Sequence, residues 1–125
     1  MFRVERAGPD RLHVEFSGRI DADGMDRALD ALLEAGEGME RGRMRMTIPD
    51  YELPSLGAIG VELRRLPSLL RFLRRFKRIA VLSPERWLRK AGEFEGRLVP
   101  GLEVRAFSPE QAAEAEAWLA QRTDS

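Results

Sequence analysis

His13 is the single imidazole of the sequence, and there is no cysteine. A general base needs a nucleophile or an acid held beside it, and nothing in the sequence identifies such a partner for His13. Without cysteine there are no disulfides, thiolate metal sites or cysteine nucleophiles. One histidine cannot build an imidazole metal cluster. The densest carboxylates are Asp21, Asp23, Asp26 and Asp30. They are spaced too loosely for a calcium loop, and acids gather at helix starts because the dipole is positive there. Asp26 and Asp30, one helical turn apart, read as solvated charges on an outer face. Gly57 and Gly60 precede no lysine-serine/threonine pair and do not directly follow a strand, so a phosphate loop is not expected. The residues therefore point to no catalytic group, metal or cofactor, and to binding rather than catalysis.

The most informative charges are Arg64, Arg65, Arg71, Arg74, Arg75, Lys77 and Arg78, which run without an intervening acid. Leu66, Leu69, Leu70, Phe72, Leu73 and Phe76 are interleaved with them, and Arg86, Arg89 and Lys90 extend the basic region. Glu93, Glu95, Glu103, Glu110, Glu114 and Glu116 make the C-terminal part acidic. The formal net charge of zero thus conceals a dipole along the chain. Arginine stems covering a solvated helix face are one reading of the basic run. An anionic partner met by Arg71, Arg74 and Arg75 is another: a lipid headgroup, an acidic protein or a nucleic acid. A membrane surface is one such partner, since arginines reach phosphates while leucines insert. Self-association between basic and acidic surfaces is a third. Nucleic acid is disfavoured, because the whole surface is not basic and the interleaved residues look like core rather than stacking platforms. Leu66, Leu69, Phe72 and Phe76 widen the apolar stripe beyond one sheet-facing seam. That surplus must be buried in core, in a dimer interface or around a small apolar or lipid ligand.

The elements that position these residues alternate along the chain. Phe2 to Arg6 reads as a strand, Gly8-Pro9-Asp10 as a turn, and Leu12, Val14 and Phe16 as the buried side of a second, antiparallel strand. Asp21 caps a helix whose stripe is Met25, Leu29, Leu32 and Leu33, and Gly36 and Gly38 stop it. Met44, Met46 and Ile48 mark a third strand closed by Pro49, followed by a loop from Pro49 to Ser55. Leu56, Ile59, Leu63, Leu66, Leu70 and Leu73 give the cleanest helical period, which Pro67 should kink or split. Ile79 to Leu82 reads as a strand buried on both faces. Ser83-Pro84-Glu85 and Ser108-Pro109-Glu110 both start helices, the second with Gln111 completing a capping box. Leu102, Val104 and Ala106 mark the last strand, and Ala112, Ala115, Trp118 and Leu119 the last helix. The order ββαβαβαβα predicts one α/β domain over residues 1–125, with a mixed, mostly parallel five-stranded sheet.

This order resembles the SpoIIAA-like family, the STAS/SEC14-like domains of bacteria. The best match runs from Lys77-Arg78-Ile79-Ala80-Val81-Leu82 through Trp87-Leu88 and Pro100-Gly101-Leu102-Glu103-Val104-Arg105-Ala106-Phe107 to Ala117-Trp118-Leu119, with Ser17-Gly18-Arg19-Ile20 fitting the turn before the first helix. The resemblance implies a sheet with helices mainly on one face, and a non-enzymatic domain. Its relatives include anti-sigma-factor antagonists, which bind a protein, and lipid carriers with an apolar pocket. Antagonist-type relatives carry a phosphorylated serine in an Asp-Ser-Ser-Gly-like motif after the third strand. Glu52-Leu53-Pro54-Ser55-Leu56-Gly57 occupies that place here. Ser55 and Gly57 match, the acid and paired serine do not, and Ser55 reads first as a helix cap. The expected protein is therefore a regulatory binding module acting on a protein partner and forming a homodimer. The alternative is a carrier of a small apolar or lipid ligand at an anionic membrane surface. With no apolar leader and no run approaching the roughly 18 residues of a membrane span, a cytoplasmic location is expected.

Overall fold

The Gly8-Pro9-Asp10 turn folds β1 (Phe2–Gly8) back on β2 (Arg11–Phe16) as an antiparallel pair. The computed structural model describes residues 2–49, 55–84 and 99–121. After the hairpin come α1 (Ala22–Ala35), β3 (Gly42–Thr47), α2 (Leu56–Arg64), α3 (Leu66–Leu73), β4 (Phe76–Leu82), β5 (Glu103–Phe107), a short 3₁₀ turn (Pro109–Gln111) and α4 (Ala112–Ala120). The expected helix beginning at Ser83-Pro84-Glu85 lies outside the described residues.

The strands lie side by side in chain order, β1-β2-β3-β4-β5, with β2 to β5 mutually parallel. Register decides what each face carries. Leu12, Met44, Ile79 and Val104 align across the four parallel strands, as do Val14, Met46, Val81 and Ala106. These two apolar rows form the floor of the main core, and α1, α2 and α3 cover them. A sheet extended in one direction by right-handed crossovers places successive connecting helices on the same side. The rows of the other face are mixed. Arg11, Arg43, Arg78 and Glu103 make one, and His13, Arg45, Ala80 and Arg105 the next. Glu15, Thr47, Leu82 and Phe107 make the third. This face is mostly charged, and its apolar residues are Ala80 and Leu82 of β4 and Phe107 of β5, on which α4 sits.

Local sequence explains the helix ends. Asp21 Oδ1 accepts the Gly24 amide at 2.8 Å and caps α1, whose Met25, Ala28, Leu29 and Leu32 are buried. At the far end a Cβ on Gly36 would stand 2.6 Å from the Phe72 ring, so only glycine lets α1 finish this close to α3. Gly38 then turns the chain at φ 80°, a region glycine enters without steric cost. Ser55 caps α2 by accepting the Ala58 amide at 3.1 Å. The long helix expected from Leu56 onward is split at Arg65, with Pro67 in the first turn of α3, where its missing amide costs nothing. Ser108 and Gln111 form the predicted capping box.

On the second face Ala115, Trp118 and Leu119 of α4 pack on Ala80, Leu82 and Phe107 as a separate small core. Alternation had set Phe107 with the outward residues of β5. It is buried there at 5% exposure because α4 covers that side. Arginines fix α4 in place. Arg78 donates to the Trp118 carbonyl at 2.6 Å and lies over the Trp118 ring at 4.8 Å. Arg43 donates to the carbonyls of Leu119 and Gln121. Cations at a helix C-terminus satisfy its last carbonyls and oppose its dipole.

Candidate interaction surface

Two apolar stripes run along α2 and α3, and the structure chooses between them. Ala58, Val61, Arg65, Leu69, Phe72 and Phe76 recur at spacings of three and four and turn toward the sheet and α1. Phe72 and Phe76 are each 2% exposed, with ring centroids 5.0 Å apart. Leu69 is half-buried beside them. The more regular stripe faces the other way. Leu56 is 88% exposed, Ile59 39%, Leu63 65% and Leu66 40%, while Leu70 and Leu73 are half-buried along its flank. Periodicity shows which residues share a face but not which face meets the core. Here the aromatic stripe, with more area to bury, takes the core. Of the four residues expected to form an apolar ligand or interface surface, Phe72 and Phe76 thus lie inside, Leu69 lies between, and Leu66 belongs to the outward stripe. Gly60 lies along the outward side, with open space where a Cβ would stand.

The basic run divides in the same way. Arg64, Arg71, Arg74 and Arg75 are exposed. Arg71 donates to Ser68 Oγ at 3.3 Å, and Arg75 reaches the Gly36 carbonyl at 3.5 Å. Arg65 turns inward to Asp30 at 2.7 Å and Asp26 at 3.2 Å. Its pKa is raised, chiefly by the hydrogen bond to Asp30. Asp26 and Asp30 are thus partners of Arg65 and not merely solvated charges, a pairing across 39 and 35 residues that no local pattern reveals. Arg78 is buried beneath α4.

The gap between α1 and α3 is lined by Leu29, Leu32, Leu33, Arg65, Ser68, Leu69 and Phe72, and it encloses only about 10 Å³. That is about the space one water occupies. Ser55 is half-buried at the start of α2, its hydroxyl engaged as the cap.

On the opposite face, His13 Nδ1 accepts from Arg45 at 3.3 Å, since a guanidinium can only donate. Arg45 also binds Glu116 of α4 at 2.5 Å, and Arg11 lies 3.2 Å from the same carboxylate. Burial first, and Arg45 second, push the His13 pKa below 6.5. An imidazole ringed by guanidinium groups is an acceptor in a clamp on α4. A shallow depression of about 790 Å³ beside it is lined by Arg3, Glu5, Glu15 and Thr47 among others. Among the described residues no group of histidine and acidic side chains is arranged to hold a metal ion, and no helix is long and apolar enough to cross a membrane.

Among the described residues a five-stranded mixed sheet carries three helices on one face and one on the other, with an outward stripe on α2 and α3, and this defines the class: an α/β domain of the SpoIIAA type. The SpoIIAA-like family model matches residues 11–120, and the chain belongs to that family. Among solved structures it is similar to an uncharacterised protein from Shewanella loihica with a SpoIIAA-like fold. The two share 22% identity and a TM-score of 0.74 over 96% of this chain and 93% of the other. It is also similar to the anti-sigma factor antagonist SpoIIAA in its unphosphorylated form, at 16% identity and TM-score 0.54 over 97% and 100% of the two chains. A third similar structure is the phosphorylated Bacillus cell fate determinant SpoIIAA, at 17% identity and TM-score 0.52 over 91% and 97%. No curated protein matches the chain in sequence.

Proposed function

We propose that this protein is a non-catalytic regulatory module that works by binding another polypeptide through the outward face of α2. The observation that carries the reading is the run of Leu56, Ile59 and Leu63 on α2, continued by Leu66 at the start of α3, on helices whose opposite side already fills the core. Single exposed apolar residues are ordinary on a protein surface, whereas a run of them at helical spacing forms an apolar patch of the kind that marks an interaction site. The antagonist SpoIIAA, which shares this fold, supports a regulatory role. Among the described residues no set of groups combines a nucleophile, a base and an orienting partner, which is what an enzyme reading would require.

The finer expectations differ in their support. A lipid carried beneath α3 would need far more than the 10 Å³ enclosed there, since pockets for such ligands run to roughly 300–1,000 Å³. A homodimer through the outward stripe would appear as a doubled mass in sedimentation, abolished by Leu63→Asp. The function itself is tested by placing a photo-crosslinking residue at Leu63 in cells and, as a control, at Glu5 on the far face. A discrete crosslinked product from Leu63 alone is the expected result. No product at Leu63, or an equal one at Glu5, removes the basis for the reading.

A further inference from the structure

We infer that the partner seated on α2 and α3 is an acidic amphipathic segment of another protein, laid along the two helices with its apolar side on the leucine stripe and its carboxylates toward Arg64, Arg71 and Arg74. This rests on the proposed function and names the chemistry of the partner.

Charge and shape together select such a partner. The apolar stripe from Leu56 to Leu66 runs directly into a stretch whose charged residues, from Arg64 to Arg78, are all basic. Arg64, Arg71 and Arg74 are exposed. The acids that the structure brings against this helical pair from α1, Asp26 and Asp30, are already held by Arg65. Acidic side chains approaching from outside therefore meet guanidinium groups close to an apolar track. A segment with apolar residues at helical spacing and acids beside them complements both, in the helix-on-groove manner of many regulatory contacts. Arginine suits this work, because its fork binds carboxylates with two donors.

The neighbouring helix excludes a broader anionic surface. α1 lies in the same layer and, besides the paired Asp30, carries Asp23 and Glu34 exposed, against the single exposed base Arg27. A flat anionic bilayer pressed on α2 and α3 would meet that acidic rank as well, whereas a single extended or helical segment would not. A second copy of this chain is also poorly matched. Its exposed acids on α1 and α4 have their apolar companions buried, Met25, Leu29 and Leu32 in the main core and Trp118 and Leu119 in the second.

Two synthetic peptides test the inference. They share one apolar face, with leucines at helical spacing, and differ only in polar positions that are all glutamate or all lysine. Binding to the full chain is measured by fluorescence anisotropy at low and high salt, beside sedimentation with phosphatidylserine vesicles and the mass of the free protein. The inference expects the glutamate peptide to bind at least ten-fold more tightly than the lysine peptide, with the gap narrowing in high salt. Arg71→Glu with Arg74→Glu should weaken the glutamate peptide at least ten-fold, and Leu56→Asp with Leu63→Asp should do likewise. All four sites are solvent-exposed, and unchanged thermal unfolding of each variant confirms that the fold is kept. Equal binding of the two peptides, lost only in the leucine variant, overturns the acidic partner while leaving the binding surface standing. Binding of neither peptide, binding that the leucine variant does not weaken, strong vesicle binding, or a dimer dissociated by the leucine variant overturns the inference.

Discussion

The hydroxyl of Ser55 does one measurable thing in this structure: it closes the first turn of α2. Ser55→Ala should cost about 1 kcal/mol, the usual loss for a helix cap, read as a lower denaturation midpoint at unchanged slope. His13 gives a second test. Its pKa lies below the ordinary 6.5 through burial and the Arg45 guanidinium. As pH falls, the unfolded chain therefore takes up this proton first. The stability owed to the neutral ring is complete above about pH 6.5 and is lost as pH drops from there through the lower folded value. The thermal midpoint of the native protein should fall more between pH 7 and 5 than that of His13→Gln. Parallel curves would show that the ring does not matter. Caps such as Asp21 and Ser55 are legible in sequence because acceptor and amide lie three residues apart. The joining of His13, Arg45 and Glu116 is not, because it depends on strand register and on which face α4 chooses.

At the scale of elements, the break between α2 and α3 was legible from Pro67, and the hairpin from Gly8-Pro9-Asp10. The facing of the helices was not. Two stripes of helical spacing share Leu56 to Phe76, and sequence periodicity favours the one the fold leaves outside. The inner stripe is the stabilising one. Phe72→Ala should cost about 3–5 kcal/mol, since it empties a site packed by Phe76 and closed by the end of α1 at Gly36. Leu63→Asp should move stability by no more than about 0.5 kcal/mol, because the side chain is 65% exposed. If the two variants destabilise equally, the assignment of inner and outer stripes is wrong. For α4, Arg78→Ala removes both the carbonyl contact and the cation over the Trp118 ring. It should speed amide exchange in α4 while leaving the strands protected, which hydrogen-exchange mass spectrometry would resolve. Uniform change along the chain would mean that α4 is not an independently held unit.

Across the whole molecule, the fold class followed from the alternation of strands and helices, and the charge dipole from a count of side chains. The second small core was legible only in part. A strand buried on both faces at Ile79 to Leu82 requires a cover over Ala80 and Leu82, but that Phe107 joins them and that Trp118 and Leu119 supply the cover depends on which face α4 takes. The strands lie next to one another in the order in which they are made. Each connection closes over a modest length before the next begins, so no strand has to wait for a distant one to be inserted beside it. On the ribosome, where residues emerge at about 5–20 per second, such a sheet can be laid down one strip at a time from its first edge. The outlying helix, translated after the five strands, then seals a nearly finished surface.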